Sequence, residues 1–126
     1  MSVLVDSSVW IDYWRGSSRG EILDSLIDDN QIVVNELILT ELIPALNISG
    51  QSKLITLLQL LPVNPLLIDW HEVRAIQTKC LKRGYSGIGI PDLILAQNAI
   101  KYNALFYTLD KHFHWISEIT HLKLFE

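Results

Sequence analysis

The stretch IPDLILAQNAIKYNALFYTLD, residues 90–110, decides how this chain folds. Pro91 suits a first helical turn, because its φ is already locked and its missing N–H has no partner to lose there. The residues that follow, DLILAQNAIKYN, read as a helix. ALFYTLD, which comes next, is a short apolar run of the kind that makes a buried strand. A helix feeding directly into a buried strand is a repeating unit of an α/β fold with a parallel sheet. Two acids stand at its functional positions: Asp92 in the electropositive first turn of the helix, and Asp110 at the end of the strand.

The same alternation extends outward to both ends of the chain. VLVDSS (3–8) reads as a buried strand ending in a polar turn, and SVWIDYWRG (8–16) as a short helix with Trp10 and Trp14 at helical spacing. EILDSLIDD is amphipathic, with Ile22, Leu23, Leu26 and Ile27 on one face, and it leads to a second strand, QIVVN. A helix starting near Glu36 is expected to kink or end near Ile43, because Pro44 lacks a donor and clashes with the preceding turn. The LLPV stretch (60–63) supplies a short third strand. IDWHEVRAIQTKCLKRG follows as a helix with Val73, Ile76, Cys80 and Leu81 on one face, stopped by Gly84. KHFHWIS is a short helix and LKLFE the final strand. The expected architecture is one α/β domain over residues 1–126, with a parallel sheet of about five short strands and helices on both sides.

With 126 residues there is room for one core of ordinary size, and 49% hydrophobic against 19% charged residues excludes a disordered chain. MSVLVDSS has neither a basic leader nor a long apolar stretch, so a signal peptide and a membrane span are not expected, and a cytoplasmic location is. The one cysteine, Cys80, reads as a small buried hydrophobe. A net charge of −4 argues against nucleic-acid binding through a general basic surface. Arg15, Arg19, Lys79, Lys82 and Arg83 could still flank an acidic cleft, or simply be helix-end surface charge.

Asp6 at the end of VLVD and Glu41 in LTELIPAL join Asp92 and Asp110 as acids in apolar surroundings, where an unpartnered charge is costly. In open parallel sheets the carboxyl ends of the strands and the helix starts share one edge. Asp6 and Asp110 belong at strand ends, Asp92 at a helix start, and Glu41 on the helix after the second strand. The four acids are therefore a candidate divalent-cation site, although each alone could be a helix cap or a solvated carboxylate. Oxygen-only ligands suit Mg²⁺ or Mn²⁺, and no Cys/His zinc pattern competes. Ser7 and Thr108 are turn and strand-end hydroxyls that could position a carboxylate or a water. His112 and His114 fall on different helix faces, so joint ligation by that pair is not expected; His71 and His121 have no support as ligands either.

The helix in SGQSKLITLLQLLP places Leu54, Ile55, Leu57, Leu58, Leu60 and Leu61 almost all the way round its axis. Such a helix needs burial on more than one face, within its own fold or against another subunit or partner. With Trp10 and Trp14, the residues Leu54, Leu57, Leu58 and Leu61 are the candidate partner-binding face.

VLVDSSVWIDYWRG, the Glu of LTEL, IPDLILAQNAI and TLDKHF, in that order, resemble a PIN domain of the VapC toxin type over nearly the whole chain. The opening D-S-S-x-W-I-D block and the D-x-x-x-A helix followed by T-x-D-x-x-F carry most of the resemblance, and Glu41 carries the least. It implies a Mg²⁺- or Mn²⁺-dependent endoribonuclease, the toxin of a type II toxin–antitoxin pair. Such a protein cleaves RNA, is inhibited by a small cognate antitoxin and usually forms a homodimer. By motif position, the site it implies is Asp6, Glu41, Asp92 and Asp110, supported by Ser7 and Thr108. Leu95 departs from the alanine of many relatives, which touches helix packing more than chemistry. Two other functions compete. One is a non-catalytic interaction module. The other is a phosphoreceiver domain, which needs an acceptor Asp after a central strand; none lies between Asp29 and Asp69.

Overall fold

The computed structural model describes residues 1–16 and 20–126. Arg19, one of the cations expected near the acids, lies outside the described residues. The central strand is Val3–Val5 (β1), flanked by Ile32–Val33 (β2) and Leu105–Tyr107 (β3), both parallel to it. Val3 pairs with Ile32 on one side and Leu105 on the other, and Val5 with Tyr107. Two more segments extend the sheet by single parallel bridges, Val63 beside Val34 and Leu124 beside Phe106. These are the expected third and last strands, which gives five parallel segments. The third is cut to one bridge because Pro62 and Pro65 bracket Val63 and neither can donate to a ladder.

Seven helices surround this sheet among the described residues: Ser7–Trp14 (α1), Gly20–Asp28 (α2), Glu36–Ile48 (α3), Ser52–Leu60 (α4), Trp70–Lys82 (α5), Ile90–Lys101 (α6) and Lys111–Ile119 (α7). They pack in two groups: α3 touches α1 and α4, while α5, α6 and α7 touch one another. Burial of Val3, Leu4 and Val5 to within 1% of complete explains why β1 reads as an uninterrupted apolar run. Trp10, Phe106 and Phe113 are the largest fully buried side chains.

Polar caps set the helix starts. Asn35 accepts from the Ile38 N–H at 2.9 Å, Asp69 from Glu72 at 3.1 Å and Asp110 from His112 at 2.9 Å. Gly84, at φ +72°, turns the chain out of α5, as its type suggests. The buried Asn35 also donates to Asn98 Oδ1 at 3.0 Å, and Asn98 donates to the Pro65 carbonyl at 3.0 Å. This bridge ties the start of α3 to α6.

Several local expectations change. The α3 helix does not end near Ile43: it continues through Pro44, carried by the burial of Ile38, Leu39, Leu42 and Leu46. Thr40 and Pro44 are exposed, so water can replace the donor that proline lacks. Ile22 and Leu81 do not join the apolar faces assigned to them, being 46% and 67% exposed. Cys80 is buried, as its neighbours imply. On α4 only Leu58 is fully buried; Leu54, Ile55, Leu57 and Leu61 are half-buried and Leu60 is exposed.

Candidate functional site

The register of β1 against β3 fixes the first two positions. With Val5 opposite Tyr107, the next residue along each strand brings Asp6 beside Thr108. The Asp6 N–H donates to the Tyr107 carbonyl at 2.8 Å, and the Thr108 hydroxyl donates to Asp6 Oδ2 at 2.9 Å. The same Thr108 oxygen accepts from the Asp110 N–H at 3.0 Å. One hydroxyl thus joins two of the acids.

Ser8, not Ser7, supplies the second hydroxyl to Asp6. Its oxygen lies 2.8 Å from Asp6 Oδ2 and accepts from the Leu109 N–H at 3.1 Å. Ser7 reaches the Asp6 carboxylate through its backbone N–H. The chain turns into α1 directly after Asp6, and that turn aims the Ser8 side chain back at the strand end.

Asp92 sits in the first turn of α6, where its Oδ2 accepts a long bond from the Gly89 N–H at 3.4 Å. It meets Asp110 across the start of α7. His112 stands between them, its Nδ1 lying 3.2 Å from Asp92 Oδ2 and 3.6 Å from Asp110 Oδ1. Ligand atoms of Asp92, Asp110 and His112 all lie within 4.8 Å of one another. His112 is the contributor that sequence reading missed. The available signal was Asp110 as N-cap: a residue two positions into the helix it starts stays close to the capping carboxylate. His114 lies apart from the cluster and is exposed.

Asp6 and Glu41 lie outside that group of three but share its field. Burial pushes the Asp6 carboxyl above its ordinary value, against bonds from Ser8, Thr108 and the Ser7 amide, with the Asp110 charge adding to the rise. Burial likewise raises Glu41, helped by the charges of Asp6 and Asp92. Asp92 is raised mainly by burial, and further by Asp110, while Gly89 and His112 pull it down. Among the described residues no Lys or Arg pairs with these acids; the ion pairs they make are to His112. Carboxylates gathered this way, held by hydroxyls and short of cationic partners, fit a hard divalent cation. Asp92, Asp110 and His112 would hold it, with Asp6 and Glu41 beside them.

The partner-binding candidates divide. Trp10 and Leu58 belong to the core, at 1% and 0% exposure, because α1 and α4 pack inward against α3 and its neighbours. They offer no surface in this chain. Trp14, Leu54, Leu57 and Leu61 are half-buried. An open cleft of about 550 Å³ is lined by Tyr13, Trp14, Gln51, Lys53, Leu54 and Leu57.

The sequence profile of the PIN domain matches residues 3–119. Comparison with curated protein sequences gave no match. Among solved structures, the chain is similar to one in the crystal structure of VapBC2 from Rickettsia felis bound to a DNA fragment from their promoter. That likeness has a TM-score of 0.76 at 22% identity and covers 99% of this chain and 98% of the other. VapBC-1 from nontypeable Haemophilus influenzae gives a TM-score of 0.74 at 22% identity, covering 100% and 98%. FitAcB from Neisseria gonorrhoeae gives 0.71 at 17%, covering 98% and 96%. These likenesses extend to the full fold, and the profile match spans the strand end of Asp6, the helix start of Asp92 and the cap at Asp110: the chain belongs to the PIN domain family.

Proposed function

We propose that this chain is a Mg²⁺- or Mn²⁺-dependent endoribonuclease, the VapC-type toxin of a type II toxin–antitoxin pair. What supports the reading is the coupling of the acids: Thr108 joins Asp6 to Asp110, His112 stands between Asp110 and Asp92, and Glu41 feels the charges of Asp6 and Asp92. A divalent ion bound there supplies positive charge to the phosphodiester and makes the attacking water more acidic. The protein's own contribution is placement. Ser8 and Thr108 fix the Asp6 carboxylate in one orientation, and Thr108 holds the backbone from which Asp110 projects. Glu41 is raised above its ordinary value by desolvation and by the charges of Asp6 and Asp92, so it is suited to accept the proton that the attacking water releases.

The partners follow from the same reading: single-stranded or looped RNA as substrate, a small cognate antitoxin, a second copy of the chain in a homodimer, and a cytoplasmic setting. VapBC structures among the similar folds support the antitoxin. Its docking face is proposed at Trp14, Leu54, Leu57 and Leu61, without Trp10 and Leu58. No described helix is long and apolar enough to cross a membrane.

The test is cleavage of RNA by purified protein in Mn²⁺ or Mg²⁺. Asp6→Asn or Asp92→Asn is expected to abolish cleavage while circular dichroism remains that of the folded chain. A wild-type protein that binds either ion yet leaves total cellular RNA intact would falsify the nuclease reading. Sequencing RNA ends after brief induction would then identify the target.

A further inference from the structure

His112 is placed differently from an ordinary helix-surface histidine. Its Nδ1 lies 3.2 Å from Asp92 Oδ2 and 3.6 Å from Asp110 Oδ1. Neighbouring ligands of one octahedral ion stand about 3 Å apart when the bonds are near 2.1 Å. The ring is only 22% exposed, and packing closes its other sides. Trp115 lies one turn on, with ring centroids 5.6 Å apart, and Gly87 approaches so closely that a Cβ there would sit 3.4 Å from Nε2. Gly87 is also at φ +82°, where a side chain is strained. Nε2 is therefore backed against the loop before α6, while Nδ1 faces the two carboxylates.

We infer that His112 is a nitrogen ligand for the cation held by Asp92 and Asp110, and that it tilts this centre from Mg²⁺ toward Mn²⁺. The inference rests on the metal-dependent reading above and adds a ligand and an ion preference to it. Mg²⁺ demands oxygen donors and gives up water reluctantly, whereas a first-row transition ion gains from imidazole. The remaining donors are all carboxylates, which suit Mn²⁺ among those ions.

The experiment uses the full chain loaded with Mn²⁺ and examined by electron spin-echo envelope modulation. Wild type is expected to show ¹⁴N coupling from a bound imidazole, lost in His112→Ala and retained in His114→Ala. Calorimetry with the metals alone is expected to show Mn²⁺ affinity falling about tenfold or more in His112→Ala, a typical loss for a group that supports a metal centre. Mg²⁺ affinity should change less than about threefold, because that ion draws little from nitrogen. Mn²⁺ bound by wild type without nitrogen coupling overturns the histidine ligand and leaves the carboxylate centre and the nuclease standing. If wild type binds neither ion, both fall. The wild-type spectrum decides even if His112→Ala fails to fold.

Discussion

Thr108 is the residue on which the candidate site turns, since its one oxygen donates to Asp6 and accepts from the Asp110 backbone. Thr108→Val keeps the shape and removes both bonds. It is expected to lower stability by about 1–2 kcal/mol and weaken Mn²⁺ binding about tenfold, with Thr108→Ser restoring both. Denaturant melts and calorimetry would read the two effects separately. The carboxyls also predict a pH dependence. Asp6, Glu41 and Asp92 hold protons more tightly in the folded chain than in the unfolded one, so their ionisation opposes folding at neutral pH. Metal-free protein should therefore become more stable as pH falls from 7 through the raised values toward the ordinary carboxylate range. Mn²⁺ should stabilise it most at pH 7, by about 2.7 kcal/mol at a hundredfold excess over the dissociation constant. Asp92→Asn should flatten the pH slope and weaken the response to metal. Thermal melts in which the variant tracks wild type at every pH, with and without Mn²⁺, would count against this account.

At the level of elements, two side-chain contacts tie neighbouring helices together. The Asn35–Asn98 bridge holds the start of α3, which carries Glu41, against α6, which carries Asp92. Asn98→Leu leaves the Asn35 amide and the Pro65 carbonyl without their partner. A loss of about 1–3 kcal/mol is expected for such buried groups, measured by chemical denaturation. If the loss is near zero, the bridge does not organise these helices. The second contact joins α1 to α2, where the Tyr13 hydroxyl donates to Asp24 at 2.6 Å. That bond, with help from burial, pushes the Tyr13 phenol up to about 12. The folded value lies above the unfolded one, so the contribution is complete below pH 10 and is lost as pH rises through about 12. Spectrophotometric titration should find one fewer late-ionising tyrosine in Asp24→Asn than in wild type, while Tyr85, raised by its bond to Glu118, stays late in both.

For the whole molecule, the proposed function asks a chain of charge −4 to engage both RNA and a protein partner. On that reading the acidic edge would need a cation before it could approach a phosphodiester. The cleft lined by Trp14, Leu54 and Leu57 lies along α1 and α4, elements that do not carry Asp92 or Asp110. If the proposed function holds, Leu57→Asp should therefore prevent co-elution with a co-expressed cognate antitoxin while leaving cleavage of RNA by the purified chain intact. Size-exclusion chromatography and the cleavage assay would separate those effects. The order of strands and helices was legible before any coordinates, because hydrophobic period and helix-start chemistry are local properties of the chain. Asp6 and Asp110 stand out as candidates in the sequence because each closes an apolar run, Asp92 because it follows Pro91 at a helix start, and Glu41 only as an acid within an apolar helix. Only the tertiary structure decided that Ser8 rather than Ser7 turns its hydroxyl to Asp6, that His112 joins Asp92 and Asp110, and that Trp10 and Leu58 face inward. Those outcomes depend on how separate elements meet, as Asp6 and Thr108 do across 102 residues, and local periodicity carries no information about such distances.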